Sequence, residues 1–327
     1  MRIDVHSHLC PSELPDFAGR FADERWPAVR HGPDGSSLVR NGAVYRRIDD
    51  RYWGLGRRLE YLDRHGIDMQ VVSPLPVLLP AWAPREQAAQ ACDWLNEAVA
   101  AFVAQRPDRL VGFGTAALHD PSTIESTLRH VRELGLAGVE IGTIYGGLRL
   151  GAEEVRAFFT LAAEWDLPVL VHPLEGAPAD PHQPPIDPAI RFSLGVTTDT
   201  ALAAASLCLS GTLREAPRAR VCLSHGGGSY YWTRPRLRQV IEAARGLEAA
   251  NSAISGDDFW VDTAMVAAGN LRYLADCVDR TRMLIGSDYP ATSSLDPLAA
   301  LAEVGWDDDP AIAHRNASRF LGLNSAA

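Results

Sequence analysis

Short apolar runs alternate with longer stretches of helical periodicity along most of the chain. One run ends at residue 8, and seven later runs have the length and apolar character of buried strands: residues 67–73, 109–116, 138–142, 168–172, 220–225, 259–262 and 282–286. The intervening stretches predict helices at 56–65, 84–106, 121–134, 151–166, 197–212, 229–245 and 267–279, followed by terminal helices. Eight apolar strands, each followed by a helix, predict an α/β fold in which a parallel sheet closes into a (β/α)8 TIM barrel.

Two segments interrupt this alternation. Residues 9–55 follow the first strand, carry four prolines and lack a clean period, and residues 173–195, rich in proline, follow the fifth strand. Because the loops after the strands of such a barrel surround its active site, we expect residues 9–55 to form a wall or lid there. This insertion contains three arginines within six residues, Arg46, Arg47 and Arg51.

Composition narrows the class of protein. A chain of 327 residues with 46% hydrophobic residues can build one large core, so we expect a single domain over residues 1–327. A net charge of -10 argues against a nucleic-acid or membrane-surface partner, since both require a basic face. Five widely spaced cysteines without a CxxC pair argue against a disulfide framework. With no secretion signal or 18-residue apolar run recognised, we expect a soluble, cytoplasmic protein.

Five residues with metal-binding chemistry fall at the ends of predicted strands. His6 and His8 are separated by one residue, so on an extended segment their rings point to the same side. His172 and His225 end the fifth and sixth strands, and Asp288 follows the eighth. Three imidazoles and a carboxylate suit zinc or another first-row divalent ion, which lowers the pKa of bound water to roughly 7. A structural role for any single histidine stays open, but five such residues at one rim favour a metal centre.

The segment around His225 sets this histidine apart. It lies in Ser-His-Gly-Gly-Gly-Ser at 224–229, where glycines permit close approach of a ligand and the following helix would point amide groups into the cleft. We therefore assign His225 as general base and acid rather than as a ligand. A tight strand-to-helix turn is the structural alternative. Glu140 ends the fourth strand, and three roles stay open for it: metal ligand, support of a metal ligand, or contact with the substrate. We leave His182 open and expect the remaining histidines to be solvated: His31, His65, His119, His130 and His314.

The arginines indicate the chemical class of the substrate. Guanidinium groups hold carboxylates through paired hydrogen bonds, so a cluster of them in a wall over a metal indicates an acid. Arg46 and Arg47 are candidates in the insertion, and Arg234 and Arg236 follow the three glycines. Simple solvation at the surface is the alternative for each.

Six motifs spread over nearly the whole chain carry a family resemblance: DVHSH at 4–8, LVHP at 170–173, SHGGGSYYW at 224–232, VDTA at 261–264, LIGSDYP at 284–290 and NASRFLGL at 316–323. They resemble the amidohydrolase superfamily, in its decarboxylase branch, and within that branch the aminocarboxymuconate-semialdehyde decarboxylase family. HGGGS and GSDYP together are typical of this branch, whereas HxH is shared by all amidohydrolases.

The resemblance implies a role for each matching residue. It implies that His6, His8, His172 and Asp288 bind Zn²⁺, and that His225 acts on metal-bound water, with Asp288 also serving catalysis. It further implies that Arg46 holds a substrate carboxylate and that Arg236 reaches the neighbouring site across a homodimer interface. The implied activity is zinc-dependent, non-oxidative decarboxylation of a small unsaturated or aromatic acid, 2-amino-3-carboxymuconate 6-semialdehyde or a close relative.

The chain also departs from this family. The proline-rich loop 174–191 differs from the family's Met- and Trp-rich loop, and Phe192 stands about where the family has a tryptophan. These positions help to shape the substrate pocket, so related acids stay open. A metal-dependent hydrolase of an ester, lactone or amide is the first alternative activity, and a hydratase of an unsaturated diacid is the second. A metal-binding protein without turnover is an alternative of another class. Release of CO2 separates the decarboxylase from all of them.

Overall fold

Eight parallel strands form a barrel in the computed structural model, which describes residues 1–174, 187–254 and 259–323. The interrupted first strand comprises Ile3–Asp4 and His8–Leu9, both paired with the second, and the strands then follow chain order: Met69–Pro74, Leu110–Gly114, Gly138–Ile141, Val169–Val171, Val221–Leu223, Trp260–Asp262 and Met283–Leu284. Val5 N donates to Ile285 O at 2.8 Å and His8 N to Tyr289 O at 2.7 Å, which brings the first strand beside the eighth. The predicted (β/α)8 barrel is confirmed.

Helices cover the outside of the barrel. Those that follow the first seven strands are Leu55–His65, Arg85–Val103, Pro121–Glu133, Glu153–Glu164, Val196–Ser210, Tyr230–Arg245 and Ala268–Cys277. Shorter helical segments are Thr212–Glu215, Leu247–Ile254, Ala299–Glu303, Ala311–Arg315 and Asn316–Leu321. The main helices bury apolar side chains against the barrel, as shown by the fully buried Leu62, Leu128, Phe158 and Leu207. The predicted helices match the observed ones within a few residues, except at 188–196.

The insertion after the first strand is folded. It contains a short helix, Phe17–Phe21, and a three-stranded antiparallel sheet of Ala28–Gly32, Gly35–Arg40 and Ala43–Ile48. Its strands are mostly half-exposed, so their apolar positions alternate too weakly to show a period. The turn at Asn41-Gly42 has positive φ at both residues, the conformation that favours Asn-Gly in hairpins. Leu38 and Ile48 pack with Leu75 and Val77, which places the sheet beside the carboxyl end of the second strand.

A long helix follows the fifth strand. Residues 175–186, and with them His182, lie outside the described residues. The helical segments Pro188–Ile190, Arg191–Gly195 and Val196–Ser210 run on without a break, whereas the sequence predicted a helix only from 197. That prediction was wrong because Pro188 occupies the first helical position, where proline is favoured, and the Asp187 side chain accepts a hydrogen bond from Ala189 N at 2.7 Å. Among the described residues, only this helix has the length and apolar composition of a membrane span, and one third of the apolar window is buried.

Candidate active site

The strand ends bring five side chains to one point. Ligand atoms of His6, His172, His225 and Asp288 lie within 4.8 Å of one another. His8 joins them, since its Nε2 is 3.1 Å from His6 Nε2 and 3.2 Å from Asp288 Oδ1. All five lie at the carboxyl end of the barrel, where the sequence placed them.

Contacts to Nδ1, on the side of each ring away from the cluster, orient three of the histidines. His6 Nδ1 is 2.8 Å from Asp262 Oδ2, and His172 Nδ1 is 2.7 Å from the Pro173 carbonyl oxygen. His8 Nδ1 has two longer contacts, to Ser73 Oγ at 3.3 Å and to Glu140 Oε2 at 3.4 Å. An Nδ1–H group that donates to such an oxygen leaves the lone pair on Nε2, and this is how proteins orient histidines that bind metals.

These nitrogen lone pairs fit a bound cation. His172 Nε2 is buried and has no hydrogen-bond partner among the described residues. The Nε2 atoms of His6 and His8 face each other at 3.1 Å, so a bound cation would take both nitrogens as ligands in place of a proton between them. Imidazole nitrogens with one carboxylate are a ligand set for a first-row divalent ion. The residues present therefore fit the metal that the sequence predicted.

His225 differs from the other three histidines. Its Nδ1 is buried without a hydrogen-bond partner among the described residues, so nothing fixes the ring tautomer. Its Nε2 lies 3.7 Å from Asp288 Oδ2, and its side chain is 13% exposed, against 0% for His6 and 1% for His8. His225 and Asp288 both have left-handed backbone conformations, with φ of 54° and 52°. Non-glycine residues adopt this strained conformation where the surrounding structure holds them in place, often at functional sites.

The glycines after His225 make close contacts within the protein. A Cβ atom at Gly228 would lie 2.2 Å from the Thr197 carbonyl oxygen, and one at Gly227 would lie 2.9 Å from the Tyr231 ring. Ser229 N donates to the same Thr197 oxygen at 3.1 Å. The Ser229 amide is therefore already used within the protein. Gly226, Gly228 and Ser229 nevertheless line a cavity above the cluster, so close approach of a ligand to this turn stays a prediction.

Burial and charge perturb the pKa values of this cluster. Burial and the neighbouring imidazoles lower the pKa of His172 well below its ordinary value. Burial disfavours the charged form of His8 as well, but the carboxylates of Glu140 and Asp288 outweigh it and raise the pKa of His8 to about 9. Burial alone would raise the pKa of Asp288, yet its contacts with the imidazoles of His225, at 3.7 Å, and His8, at 3.2 Å, hold it well below its usual range. Without a metal, the cluster therefore keeps Asp288 charged and His172 neutral.

A buried polar network supports the first strand from outside the metal site. The Asp4 carboxylate accepts hydrogen bonds from His6 N at 3.1 Å and from Ser287 N at 3.0 Å. Gln70 donates to Asp4 at 2.7 Å and accepts from Arg58 Nη1 at 2.7 Å. Arg58 Nη2 donates to the His8 carbonyl oxygen at 2.6 Å. The network thus holds the backbone of both histidines and of the residue before Asp288.

A cavity of about 1040 Å³ opens above this cluster. Residues from the barrel rim, the insertion and the long helix line it: His8, Arg46, Arg47, Arg51, Tyr52, His172, Phe192, His225, Trp232 and Asp288. The Arg46 guanidinium lies 5.8 Å from the centre of the Phe192 ring, within range of a cation–π contact. The sequence-predicted Arg46 and Phe192 are therefore together in the cavity wall.

Other candidates lie elsewhere or have different contacts. Arg236 is exposed on the helix Tyr230–Arg245, and Arg234 lies 5.6 Å from the ring centre of Tyr231. Glu140 lies behind His8 and accepts a hydrogen bond from the Ser73 hydroxyl, so it supports the cluster from the side away from the cavity. His119 was expected to be solvated, but it is 7% exposed because its Nε2 binds the Ala83 carbonyl oxygen at 2.8 Å.

Asp262 is the functional residue whose role the sequence reasoning missed. Its Oδ2 binds the His6 ring, and its Oδ1 accepts hydrogen bonds from His225 N at 2.8 Å and Ala264 N at 3.0 Å. It ends the seventh strand, and His172 directly follows the fifth. The rule that selected the histidines would therefore have selected this carboxylate too. Tyr52, in contrast, lies in the insertion and carried no such signal.

A closed barrel with imidazoles and a carboxylate meeting at the carboxyl ends of its strands defines a class of metal-dependent enzymes. The amidohydrolase family model matches residues 3–323, and the chain belongs to this family. The 2-amino-3-carboxymuconate-6-semialdehyde decarboxylase of Dictyostelium discoideum is 27% identical over 334 residues, which cover 99% of this chain and 92% of that protein.

Two solved structures share the fold. The apo form of Metarhizium anisopliae IDCase superposes with a TM-score of 0.82 at 21% identity, covering 100% of this chain and 98% of the other. The second structure is a 5-carboxyvanillate decarboxylase from Novosphingobium aromaticivorans with bound manganese and 3-methoxy-4-hydroxy-5-nitrobenzoic acid. It superposes with a TM-score of 0.78 at 20% identity, covering 99% of this chain and 97% of the other. Because both identities are below 25%, these two structures show that the fold is shared and no more.

Proposed function

We propose that this amidohydrolase is a metal-dependent, non-oxidative decarboxylase of a small unsaturated or aromatic carboxylic acid. The observation that carries the proposal is the convergence of His6, His8, His172 and Asp288 beneath a cavity walled by arginines. The relatives support the reaction, since the similar Dictyostelium protein carries the name of a decarboxylase. We propose 2-amino-3-carboxymuconate 6-semialdehyde, or a close relative, as the substrate.

Zinc is the metal we propose, held by His6, His8, His172 and Asp288, although the same ligand atoms suit other first-row divalent ions. Manganese in the 5-carboxyvanillate decarboxylase structure is one such ion. When bound, the ion supplies a positive charge that polarises oxygen atoms next to the reacting carbon.

The protein's own residues handle the carboxylate and the proton. Loss of CO2 breaks a carbon–carbon bond and leaves its electron pair on the substrate carbon, which then takes a proton. We assign the movement of this proton to His225 Nε2, because this imidazole is more exposed than those of His6 and His8 and no contact fixes its tautomer. Asp288, 3.7 Å away, stabilises the protonated form of the ring. Arg46 holds a substrate carboxylate from the cavity wall.

We also propose that the chain forms one domain and acts as a homodimer in the cytoplasm. Arg236 is exposed and does not line the cavity of its own chain. A second subunit that packs against the helix Tyr230–Arg245 would receive this guanidinium at its own cavity. The proposed dimer therefore adds a cation to each site.

The direct test is a substrate screen. The zinc-loaded protein is incubated with carboxylated muconate semialdehydes and with hydroxybenzoic acids, and CO2 release is followed together with the product. We expect one CO2 for each substrate molecule consumed. A product that gains a carboxyl group from an ester, lactone or amide, without CO2, would identify a hydrolase. A hydrated product without CO2 would identify a hydratase, and either outcome would refute the decarboxylase.

A further inference from the structure

The three arginines of the insertion that line the cavity, Arg46, Arg47 and Arg51, have different surroundings. The guanidinium of Arg51 is held by Asp49, with Nε at 2.8 Å and Nη2 at 2.5 Å, and its Nη1 donates to Ser293 Oγ at 2.8 Å. Arg47 is exposed. Arg46 is half-buried in the cavity wall, and its Nη1 donates to the Tyr52 hydroxyl at 3.5 Å. Arg46 is therefore the arginine that faces the interior without a carboxylate within 4.0 Å among the described residues.

The contact with Arg46 determines what the Tyr52 hydroxyl can do. A guanidinium only donates hydrogen bonds, so in this contact the phenol oxygen is the acceptor and its own proton remains available. Among the described residues, no acceptor receives this proton. Tyr52 lines the same cavity as Arg46 and Asp288, and it is 5% exposed. Burial raises the pKa of Tyr52, and the negative charge of Asp288 adds to this shift, so the phenol keeps its proton.

We propose that Tyr52 is a specificity-determining residue that donates a hydrogen bond to the substrate carboxylate held by Arg46. A carboxylate accepts hydrogen bonds on two oxygens, and Arg46 and Tyr52 would supply one donor to each. This proposal rests on the proposed function, because it assumes an acid as the substrate. It narrows the substrate class to acids with one carboxylate at the Arg46–Tyr52 pair and the reacting carboxyl group near the metal site, that is, to dicarboxylates and their close analogues.

Replacing Tyr52 by phenylalanine isolates the hydroxyl. The ring packs with Leu38, Ile48 and Leu75, and phenylalanine retains these contacts. The backbone contact from Cys10 N to Tyr52 O, at 3.1 Å, does not involve the hydroxyl. The variant is therefore expected to fold and to bind zinc as the parent does.

The test measures binding to the zinc-loaded protein by calorimetry. The probes are isophthalate, which has two carboxylates on one ring, and resorcinol, a neutral ring of similar size. A hydrogen bond to a charged group is worth roughly 1.5–3 kcal/mol, so Tyr52→Phe should weaken isophthalate binding about 10- to 100-fold and change resorcinol binding less than about threefold. In an Arg46→Gln background the same substitution should cost less than about threefold, because the shared carboxylate is no longer held.

Tyr273→Phe is the matched control. The Tyr273 hydroxyl donates to the Tyr231 carbonyl oxygen at 3.1 Å, so its proton is already used and its loss should leave both probes unaffected. Equal weakening of both probes by Tyr52→Phe, an unchanged isophthalate affinity, or no isophthalate binding by the parent would overturn the proposal. If Tyr52→Phe acts as expected but no acid releases CO2, carboxylate binding by Arg46 and Tyr52 is supported and the proposed decarboxylation is refuted.

Discussion

Asp262→Asn tests whether the His6 ring is held for metal binding. The Asp262 carboxylate only accepts hydrogen bonds, and it accepts one from His6 Nδ1–H at 2.8 Å. In asparagine, Oδ1 can still accept from His225 N and Ala264 N, as the carboxylate oxygen does at 2.8 and 3.0 Å. The amide NH2 then faces His6 Nδ1. The ring has to shift its proton to Nε2, the atom that faces the cluster.

The substitution should therefore act on metal affinity. Loss of a partner that orients a metal-binding histidine costs about 10- to 100-fold in affinity, or roughly 1.4–2.8 kcal/mol. Competition between the protein and a chromogenic chelator measures the dissociation constant for zinc, and cobalt absorption spectra report the ligand geometry. We expect weaker zinc binding and a changed cobalt spectrum, with a smaller effect on unfolding of the metal-free protein.

A buried aspartate far from the metal cluster supplies the control. Asp120 caps the helix Pro121–Glu133 by accepting from Ser122 N, and asparagine is an equally good cap. Asp120→Asn should leave zinc affinity unchanged. If Asp262→Asn binds zinc within about threefold of the parent with the parent's cobalt spectrum, the His6–Asp262 contact does not set the tautomer, and the orientation argument is refuted.

Other substitutions separate the roles within the site. His225→Ala should retain the metal and lose about 10²- to 10⁴-fold in CO2 release, whereas Asp288→Ala should lose both; metal analysis showing that His225→Ala empties the site would make His225 a ligand. Arg236→Ala should raise KM, and mixing it with inactive His225→Ala should restore activity if subunits share sites; no restoration contradicts the shared site. In metal-free protein the pKa of His8 is raised to about 9, so its stabilising charge is complete below about pH 6.5 and is lost as the pH rises through about 9. Thermal unfolding in chelator should show this decline, and Glu140→Gln should reduce it; a midpoint that rises over this range would contradict the assignment.

The barrel and its metal cluster could be predicted because both follow from local patterns. Each barrel strand is a short apolar run, and a residue at its end or just after it faces the site. His172 directly follows the fifth strand, and His225 lies two residues after the end of the sixth. The strand order then brings residues 6 and 288 together, although they lie near opposite ends of the sequence. Asp262 obeys the same rule and was missed only because no role was sought for a carboxylate behind a ligand.

The substrate side of the site could not be predicted in the same way. The Arg46–Tyr52 pair depends on how the insertion's sheet packs against Leu75 and Val77, a contact with no sequence period behind it. The helix beginning at Pro188, which carries Phe192, was hidden because proline was interpreted as a mark of irregular structure. Long-range packing and capping, rather than periodicity, place these residues.

The two sides of the site also differ in how firmly they are held. Arg58 is fully buried, with no carboxylate within 4.0 Å in the part of the chain that the structure describes, and burial lowers its pKa to about 10. A buried guanidinium is costly unless its donors are satisfied. Here Nη1 binds Ser7 and Gln70 and Nη2 binds the His8 carbonyl oxygen, whereas Nε has no hydrogen-bond partner among the described residues. These contacts fix the backbone around the metal-binding histidines, where the distances from ligand atoms to a bound metal tolerate deviations of only about 0.2 Å. The cavity wall has no comparable buried ion network among the described residues. Its Arg51–Asp49 ion pair is about half-exposed, and the contact from Arg46 to Tyr52 is single and long, at 3.5 Å. Substitution there should change which acid binds without disturbing the metal, so substrate preference can vary on a constant metal site.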